Sequence, residues 1–371
     1  MAASIVQPAT IEKSIYIKSK KETNMEHKRL VEKDPELKKD DLIVITGAGG
    51  FIAGNLALYF HNKGFTRIRA VDKKPLNEWY LRTAGVENLN LDCSQERNCQ
   101  RVCEGAVEVY NLAADMGGMG FIERYRVECL RSILINTHMV EAAWRAGARR
   151  YFFSSSACAY NITLQQDPNV RALKESDAYP AMAERGYGWE KLMSEIFCQE
   201  YWEERGLKTF MARFHNVYGP HGTWDGGREK APAALCRKII EAVDKGSKNL
   251  ELWGDGQQTR SFMFIEDCVQ GIDKIMHCDE LIATPINLGS SELVSIDALA
   301  EKIEKIAGVK LKHRYDLDAP RGVAGRNSDN TFIKKMLKWE PGTTLDQGLA
   351  ITYKWIRQQY EKRKEGRRVV E

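Results

Sequence analysis

The sequence contains no long run of apolar residues. The longest runs in its 371 residues are far shorter than the roughly 20 residues of a membrane-spanning helix, so we expect no membrane partner. A large excess of one sign of charge is also absent, and a formal net charge of +4 on a chain of this size does not indicate nucleic acid as a partner. With 43% hydrophobic and 29% charged residues, the composition is that of an ordinary globular protein with one or two lobes.

The cysteines lack the pattern of a disulfide framework or a zinc site. Their number, nine, is odd, and no secretory apolar segment opens the chain, so we expect reduced thiols in the cytosol. Cys99 and Cys103 would share a helix face, but no second ligand pair follows at matching spacing, and we expect no metal. Residues 1–40 are dense in charge and poor in aromatics, which predicts a mobile extension, and their acidic residues argue against a transit peptide.

Beyond the extension, short β-branched runs alternate with segments of helical period. This alternation predicts an α/β fold built on a Rossmann-like, doubly wound parallel sheet. After Tyr218 the spacing becomes irregular, which predicts a smaller C-terminal substrate lobe. The predicted boundaries are 41–218 for the first domain, with a return segment near 262–290, and 219–261 with 291–371 for the second lobe.

The stretch "TGAGGFIAGN" is typical of a phosphate-binding loop. Its glycines, Gly47 and Gly50, follow the apolar run "LIVI", and Phe51 and Ile52 open a helical segment. A tight turn at that point lets the backbone approach a pyrophosphate, and the helix N-terminus offers free N–H groups. The loop therefore predicts a dinucleotide cofactor.

Two aspartates extend this cofactor prediction. Asp72 ends the next predicted strand, 25 residues beyond the first glycine of the loop, and is suited to accept both ribose hydroxyls of an adenosine. Its charge would repel a 2′-phosphate, so NAD is predicted in preference to NADP, although Lys73 and Lys74 act in the opposite sense. Asp92 closes "NLNLD" and is placed to hydrogen-bond the adenine edge.

The stretch "YGWEK" places Tyr187 and Lys191 one helical turn apart on the same face. A lysine near a phenol stabilises the phenolate and lowers the tyrosine pKa, so that Tyr187 can take a proton from a substrate hydroxyl. Ser156, at the end of a preceding strand, could hydrogen-bond the same oxygen. Alone, this spacing is more often an ordinary helix surface, but together with the phosphate loop and the serine it predicts a catalytic set.

Two further groups are candidate proton carriers. Cys158 follows Ser156 by two residues, and Lys230 follows Arg228 in "GGREKAPAAL". A lysine beside another cation loses proton affinity, and a thiol has a pKa near neutrality. From the residues alone, a buried structural thiol and a solvated amine are the favoured interpretations of Cys158 and Lys230.

These motifs resemble the extended short-chain dehydrogenase/reductase family over roughly residues 41–360. The resemblance implies a bilobal fold with NAD on the Rossmann-like lobe, a nucleotide sugar under the second lobe and, often, a homodimer. The chain departs from the family pattern at Ala159-Tyr160-Asn161, where a Tyr-Pro pair is usual, and this predicts a looser loop around the thiol.

Longer strings resemble the epimerases of that family that invert two ring carbons; they are "NLAADMGGMGFI", "SSSAC", "RFHNVYGP", "GGREKAPAA" and "GRNSDN". The resemblance implies conversion of GDP-D-mannose to GDP-L-galactose, a step in ascorbate biosynthesis. In such a reaction C4 is oxidised, protons exchange at C3 and C5, and C4 is reduced again. Cys158 and Lys230 would then be the acid/base pair on opposite ring faces.

The resemblance also implies a set of substrate contacts, while His215 is equally consistent with packing or contact. The implied substrate-binding residues are Gly117, Ser156, Ala157, Cys158, Asn216, Glu229, Lys230, Ala231, Lys238, Gln258, Thr259, Arg260 and Arg326. The last four would form the nucleotide and diphosphate clamp, because arginine offers bidentate donors.

Two alternatives stay open. One is another nucleotide-sugar epimerase or a 4,6-dehydratase of the same architecture, although a dehydratase usually carries an acidic residue where this chain has Ala157-Cys158. The other is a non-catalytic, NAD-sensing scaffold, a class of protein that tends to lose the Tyr/Lys pair.

Overall fold

The computed structural model describes residues 33–320 and 322–366. The predicted mobility of the extension concerns mainly residues 1–32, which lie outside the described residues. Residues 37–320 and 322–366 belong to one compact unit, and Leu37 itself packs, partly buried, against the hydrophobic core. At least the end of the predicted extension, 37–40, is therefore attached to the folded unit.

Strands and helices alternate along most of this unit. The strands are β1 (Ile43–Thr46), β2 (Ile68–Asp72), β3 (Glu87–Asn90), β4 (Glu108–Asn111), β5 (Arg150–Ser156), β6 (Lys208–Phe214), β7 (Asn216–Tyr218), β8 (Asn249–Trp253), β9 (Thr259–Phe264), β10 (Pro285–Leu288), β11 (Leu293–Ser295), β12 (Lys312–Asp316) and β13 (Gly325–Arg326). The helices are α1 (Phe51–Asn62), α2 (Glu96–Cys103), α3 (Met119–Arg124), α4 (Arg126–Arg145), α5 (Tyr187–Arg205), α6 (Ala231–Asp244), α7 (Ile265–Met276), α8 (Ile296–Ala307), α9 (Thr331–Leu337) and α10 (Leu345–Lys364).

Seven parallel strands form the main sheet, in the order β3-β2-β1-β4-β5-β6-β10. The chain winds outward from β1 in both directions, so the predicted doubly wound α/β fold is confirmed. In such a sheet the strand order reverses between β1 and β4, and a crevice opens there at the carboxyl ends of the strands. The motifs predicted to bind a cofactor lie at these ends.

Both faces of the main sheet are covered, as a parallel sheet requires. Along β1, Ile43 and Ile45 face a core shared with α1 and α7, whereas Val44 faces a second core shared with α2, α4 and α5. The predicted Cys99 and Cys103 pair belongs to this second core, and all nine cysteines are free thiols.

A smaller assembly covers the carboxyl edge of the main sheet. Strands β7, β13 and β11 pair with β9, while β8 pairs with β12. The core that joins α1 and α7 continues without a break into α6, α8 and α10, so the two parts share one hydrophobic interior. Within the described part of the chain, no helix is long and apolar enough to cross a bilayer.

The loop that follows β5 is fastened, contrary to the looser loop that the missing proline predicted. Tyr160 is fully buried, and its hydroxyl donates to Asn287 Oδ1 at 2.6 Å. Asn161 Oδ1 accepts the Thr163 N–H at 2.9 Å, and its amide donates to the Pro180 carbonyl at 3.0 Å. Side-chain hydrogen bonds therefore hold this loop in position, although the proline that is usual there is missing.

Candidate active site

The turn between β1 and α1 forms the cradle predicted for a pyrophosphate. Gly47 has a φ of +78°, and a Cβ there would lie 2.8 Å from the Leu112 carbonyl oxygen, so only glycine fits. Gly50 is the N-cap residue of α1 and provides no side-chain hydrogen bond, and no acidic side chain occupies the first turn of the helix. The helix N-terminus therefore presents free N–H groups and positive potential, which suits a phosphate.

Asp72 lies beside this turn at the end of β2. Its carboxylate accepts the Gly49 N–H at 3.0 Å and the Lys74 N–H at 2.9 Å, which fixes its orientation. Lys74 Nζ donates to the Gly49 carbonyl, and Lys73 Nζ pairs with Asp115 at 2.5 Å. The lysines that could have favoured a 2′-phosphate are thus engaged with protein groups, which favours NAD.

A cavity of about 510 Å³ opens over the switch point of the sheet. Its wall holds fourteen of the predicted site residues: Gly47, Gly50, Phe51, Ile52, Asp72, Asp92, Gly117, Ser156, Ala157, Cys158, Tyr187, Asn216, Lys230 and Arg326. His215 also lines it, which brings the ambiguous histidine to the site. The cavity thus joins the cofactor motifs to the candidate proton carriers.

The catalytic set predicted around Tyr187 converges at one end of this cavity. Ser156 is the last residue of β5, and Tyr187 is the first residue of α5. Lys191 does not reach the wall; it is buried behind Tyr187, with Nζ 5.4 Å from the Tyr187 ring centroid and 4.7 Å from that of Phe153. The lysine therefore acts on the phenol from the protein side.

Burial governs the proton affinities of this set. It raises the pKa of Tyr187 well above its ordinary value, and a hydrogen bond with Ser156 lowers it only in part. Burial also lowers the pKa of Lys191. The structure thus differs from the lowered tyrosine pKa that the sequence predicted, because removing the phenolate from water outweighs the attraction of a nearby lysine.

Cys158 lies in the turn that follows β5, next to the catalytic set. Its backbone N–H donates to Ser156 Oγ at 3.1 Å, and Arg326 Nη1 donates to its sulfur at 3.3 Å. Arg326 is held in turn by Glu184, at 3.1 Å, and by Gln165, at 2.6 Å. Arg326 therefore orients the thiol, while its predicted contact with the diphosphate stays a prediction.

Lys230 reaches the cavity because two loops dock closely. The Gly118 N–H donates to the Arg228 carbonyl at 3.0 Å, and a Cβ at Gly118 would lie 2.7 Å from the Glu229 carbonyl oxygen. The Arg228 guanidinium covers the Phe121 ring, 3.9 Å from its centroid. The glycine-rich loop after β4 thus fixes the segment that leads to Lys230 at the N-terminus of α6.

The thiol and the amine shift each other's proton affinity, so they belong to one electrostatic cluster. Burial and the charge of Glu184 raise the pKa of Cys158, while Arg326 and Lys230 oppose this rise. Burial lowers the pKa of Lys230, and Cys158 opposes this fall. Both shifts favour the uncharged forms, in which the thiol can donate a proton and the amine can accept one.

Seven predicted site residues lie outside the cavity wall in the described structure. They are Lys191, Glu229, Ala231, Lys238, Gln258, Thr259 and Arg260. Glu229 accepts from Arg237 at 3.0 Å, and Lys238 donates to the Glu251 carbonyl at 3.0 Å. Arg260 Nη2 donates to the Val323 carbonyl at 2.6 Å. Of the predicted nucleotide clamp, Arg326 lines this cavity in the described structure and the other three residues lie outside its wall, so the clamp stays a prediction.

Asn216 and His215 contribute polar groups to the cavity wall. The Asn216 amide donates to the Ser261 carbonyl at 3.2 Å. His215 Nε2 lies 3.0 Å from Asn287 Oδ1, and burial lowers the pKa of His215 to about 4. The histidine is thus neutral at physiological pH and serves as a hydrogen-bonding group in this wall.

Sequence reasoning missed Glu184 and Gln165, which hold the arginine beside the thiol. Both lie in the irregular segment between β5 and α5, where no periodic pattern marks a side chain as buried. A carboxylate shortly before "YGWEK" was the available signal, since buried carboxylates need a cationic partner.

Comparisons with known proteins agree with this geometry. A family model, the NAD dependent epimerase/dehydratase family, matches residues 43–289. The chain is 45% identical to GDP-mannose 3,5-epimerase of Arabidopsis thaliana over 87% of its own length and 84% of that protein. It is also 45% identical to GDP-mannose 3,5-epimerase 1 of Oryza sativa subsp. japonica, over 87% of its length and 83% of that protein.

Solved structures share the fold at lower identity. The UDP-glucose 4-epimerase of Thermotoga maritima superposes with a TM-score of 0.74 at 20% identity, covering 86% of this chain and 99% of that one. The UDP-glucuronic acid 4-epimerase of Bacillus cereus gives a TM-score of 0.72 at 21% identity, with the same coverage.

The residues present fit NAD on structural grounds. The missing Cβ at Gly47 leaves space beside the turn for a phosphate, and the N-terminus of α1 has no side-chain cap. Asp72 is held beside both by its hydrogen bond with the Gly49 N–H. With Tyr187 and Ser156 lining the same cavity, these features describe a site for a nicotinamide cofactor and a hydroxyl-bearing substrate. Together with the match over residues 43–289, they show that the chain belongs to the NAD dependent epimerase/dehydratase family.

Proposed function

We propose that the chain converts GDP-D-mannose to GDP-L-galactose by epimerisation at C3 and C5. One observation carries the proposal: a thiol and an amine, Cys158 and Lys230, line the same cavity as Tyr187 and Ser156. A simple 4-epimerase has no use for two further proton carriers. The 45% identity to GDP-mannose 3,5-epimerase of Arabidopsis thaliana over most of both chains supports the same substrate.

The proposed reaction begins at C4 of the mannosyl ring. Tyr187, in the ionised form that a charged Lys191 stabilises, takes the proton of the C4 hydroxyl, with Ser156 hydrogen-bonded to the same oxygen, as the C4 hydride leaves. NAD, when bound, supplies the acceptor for this hydride and later returns it. The product is a ketone, whose neighbouring hydrogens on C3 and C5 are acidic because an enolate can form.

Cys158 and Lys230 then exchange these protons. One group removes a proton from the ring carbon, and the other returns a proton from the opposite ring face, which inverts the configuration. After both centres have reacted, the hydride returns to C4, and Tyr187 gives its proton back to the oxygen. No net oxidation results, and the cofactor ends in its starting state.

Incubation with GDP-mannose in heavy water tests this proposal. We expect NMR to detect deuterium at C3 and C5 of the sugar, none at C4, and no net NADH. Deuterium-free turnover with inversion at C4 would instead indicate a simple 4-epimerase, and loss of the C6 hydroxyl a dehydratase. A protein that binds NAD but leaves the sugar unchanged would be a non-catalytic scaffold.

We also propose that the protein is a homodimer joined through α4 and α5. Large apolar side chains are exposed at helical spacing on α4, at Val127, Leu130 and Leu134, and on α5, at Trp189 and Met193. Contiguous exposed apolar side chains on two helices that pack side by side are typical of a protein–protein interface. A second copy offers the same stripe, so one two-fold axis can bury both.

For location we propose the cytosol, where free thiols persist, and for cellular role we propose a step in ascorbate biosynthesis. All nine cysteines are free, and eight of them are buried. Fractionation of cells that express the tagged protein tests the location, and the product identified in the heavy-water experiment tests the role.

A further inference from the structure

A carboxylate is buried directly beside the catalytic lysine. The Glu190 and Lys191 side chains are both almost completely buried, and Lys191 Nζ lies 3.8 Å from Glu190 Oε2. Among the described residues, neither of these two atoms has a hydrogen-bond partner. A charge in such surroundings is costly unless an opposite charge lies nearby, so each group depends on the other.

The second oxygen of Glu190 is held by hydrogen-bond donors. Asn136 Nδ2 and Ser194 Oγ both donate to Oε1, the latter at 3.1 Å. The Asn136 amide cannot turn around, because its Oδ1 accepts the Asn111 amide at 2.9 Å. Burial raises the pKa of Glu190, while Lys191 and these two donors oppose the rise because they interact better with the ionised carboxylate than with the neutral acid.

Other charges do not replace Glu190 as the partner of the lysine. Other ionisable groups that lie near Lys191 in the described structure include Tyr187, Cys158, Cys198 and Glu195. Glu195 is already neutralised by Arg213, at 2.7 Å. On the other side, Glu190 faces Tyr187 and Cys129 in addition to the lysine. The thiols and the phenol are acidic only weakly, which leaves Glu190 as the anion available to Lys191.

We propose that Glu190 is a positioning residue for the hydride-transfer step: its carboxylate, held by Asn136 and Ser194, keeps the Lys191 ammonium charged behind Tyr187. The inference rests on the proposed function only in its choice of substrate. A charged lysine stabilises the phenolate that accepts the C4 hydroxyl proton, whereas a neutral amine does not. Burial lowers the pKa of Lys191, and Glu190 counteracts this.

The Glu190→Gln variant tests this proposal, because it keeps the shape and removes the charge. Without the carboxylate, Lys191 loses its proton at lower pH. We therefore expect the alkaline limb of the pH profile for single-turnover reduction of bound NAD by GDP-mannose to move down by about 1–3 pH units. The rate at pH 8 should fall at least tenfold, while NAD binding and the far-UV circular dichroism spectrum stay unchanged.

Two further variants separate charge from structure. Glu190→Asp keeps the charge and should return the alkaline limb most of the way to its wild-type position. Glu203→Gln removes a carboxylate from the exposed face of the same helix and should leave the profile unchanged. If the Glu190→Gln profile superimposes on that of the wild type, the proposal is wrong.

A measurement on the wild-type holoenzyme keeps the proposal testable if the variants do not fold. The Lys191 ¹⁵Nζ resonance, assigned by comparison with Lys191→Arg, should report an ammonium group up to at least pH 8. A neutral amine at pH 7 would overturn the proposal. Because no sugar is present, this result does not depend on whether GDP-mannose is the substrate.

Discussion

Burial and neighbouring charges of both signs set the protonation state of the Cys158 thiol. Burial and Glu184 raise its pKa, and Arg326 and Lys230 act against them. The thiol therefore holds its proton at neutral pH, unlike the thiolate of a nucleophilic cysteine, whose pKa is lowered. This state suits a group that returns a proton to carbon, and the Arg326 contact aims it at the cavity.

Replacement of Cys158 by serine tests this role at the scale of one atom. A hydroxyl can still accept the Arg326 hydrogen bond, but its proton is far less acidic than that of a thiol. We expect deuterium exchange at C3 and C5 to fall about 10²–10⁴-fold, with bound NAD retained. Exchange at the wild-type rate in the NMR assay would show that the thiol only packs.

Helix α7 is joined to the sheet by a partly exposed charge cluster whose residues do not line the cavity. His277, at its C-terminal end, lies 3.0 Å from Glu108 in β4 and 3.0 Å from Asp273 in α7. Lys63 and Tyr59 of α1 also bond to Asp273, at 2.6 and 2.8 Å. Although burial opposes it, bonding to the two carboxylates raises the pKa of His277 to about 10.

This cluster predicts a pH-dependent stability for the elements that it joins. The folded pKa of His277 lies above the unfolded value of 6.5, so its contribution is complete below about pH 6.5 and disappears as pH rises through about 10. Because the side chain is about a third exposed, solvent screening limits the effect of His277→Gln to the order of 1 kcal/mol. Thermal unfolding should show the largest difference from wild type near pH 6.

The pH dependence of the stability difference between His277→Gln and the wild type shows whether the ion pairs of His277 or only its packing stabilise the fold. His61→Gln, on the exposed end of α1, is a matched control and should unfold like the wild type at each pH. A His277→Gln deficit that is equally large at pH 6 and pH 10 would contradict the assigned charge on His277.

At the scale of the whole molecule, local patterns and distant contacts were predictable to different degrees. The βαβ order, the turn at Gly47 and the position of Asp72 follow from periods and spacings within a few dozen residues, so the sequence predicts them. The contact between Arg326 and Cys158 joins residues 168 positions apart, and no local pattern marks it. The raised pKa of Tyr187 depends on burial by the entire fold, which spacing alone cannot reveal.

The apolar stripe on α4 and α5 predicts that the assembly depends on this face. The Met193 side chain, which belongs to this stripe, is 50% exposed in the single chain. A charge at this position would be buried without a partner in a symmetric dimer. We expect Met193→Glu to dissociate the dimer, so that sedimentation velocity gives the mass of one chain where the wild type gives twice that mass. The monomer should still bind NAD, because the cavity lies within one chain.

The matched control is Ile351→Glu on α10, where a side chain of similar exposure, 46%, lies on a different helix. This variant should remain dimeric, since its charge stays in water in both states. A wild-type chain that sediments as a monomer at micromolar concentration would contradict the proposed dimer. A Met193→Glu variant that keeps the dimeric mass of the wild type would instead show that the interface lies elsewhere. A carboxylate buried without a partner at the centre of an interface destabilises a dimer of ordinary affinity enough to dissociate it.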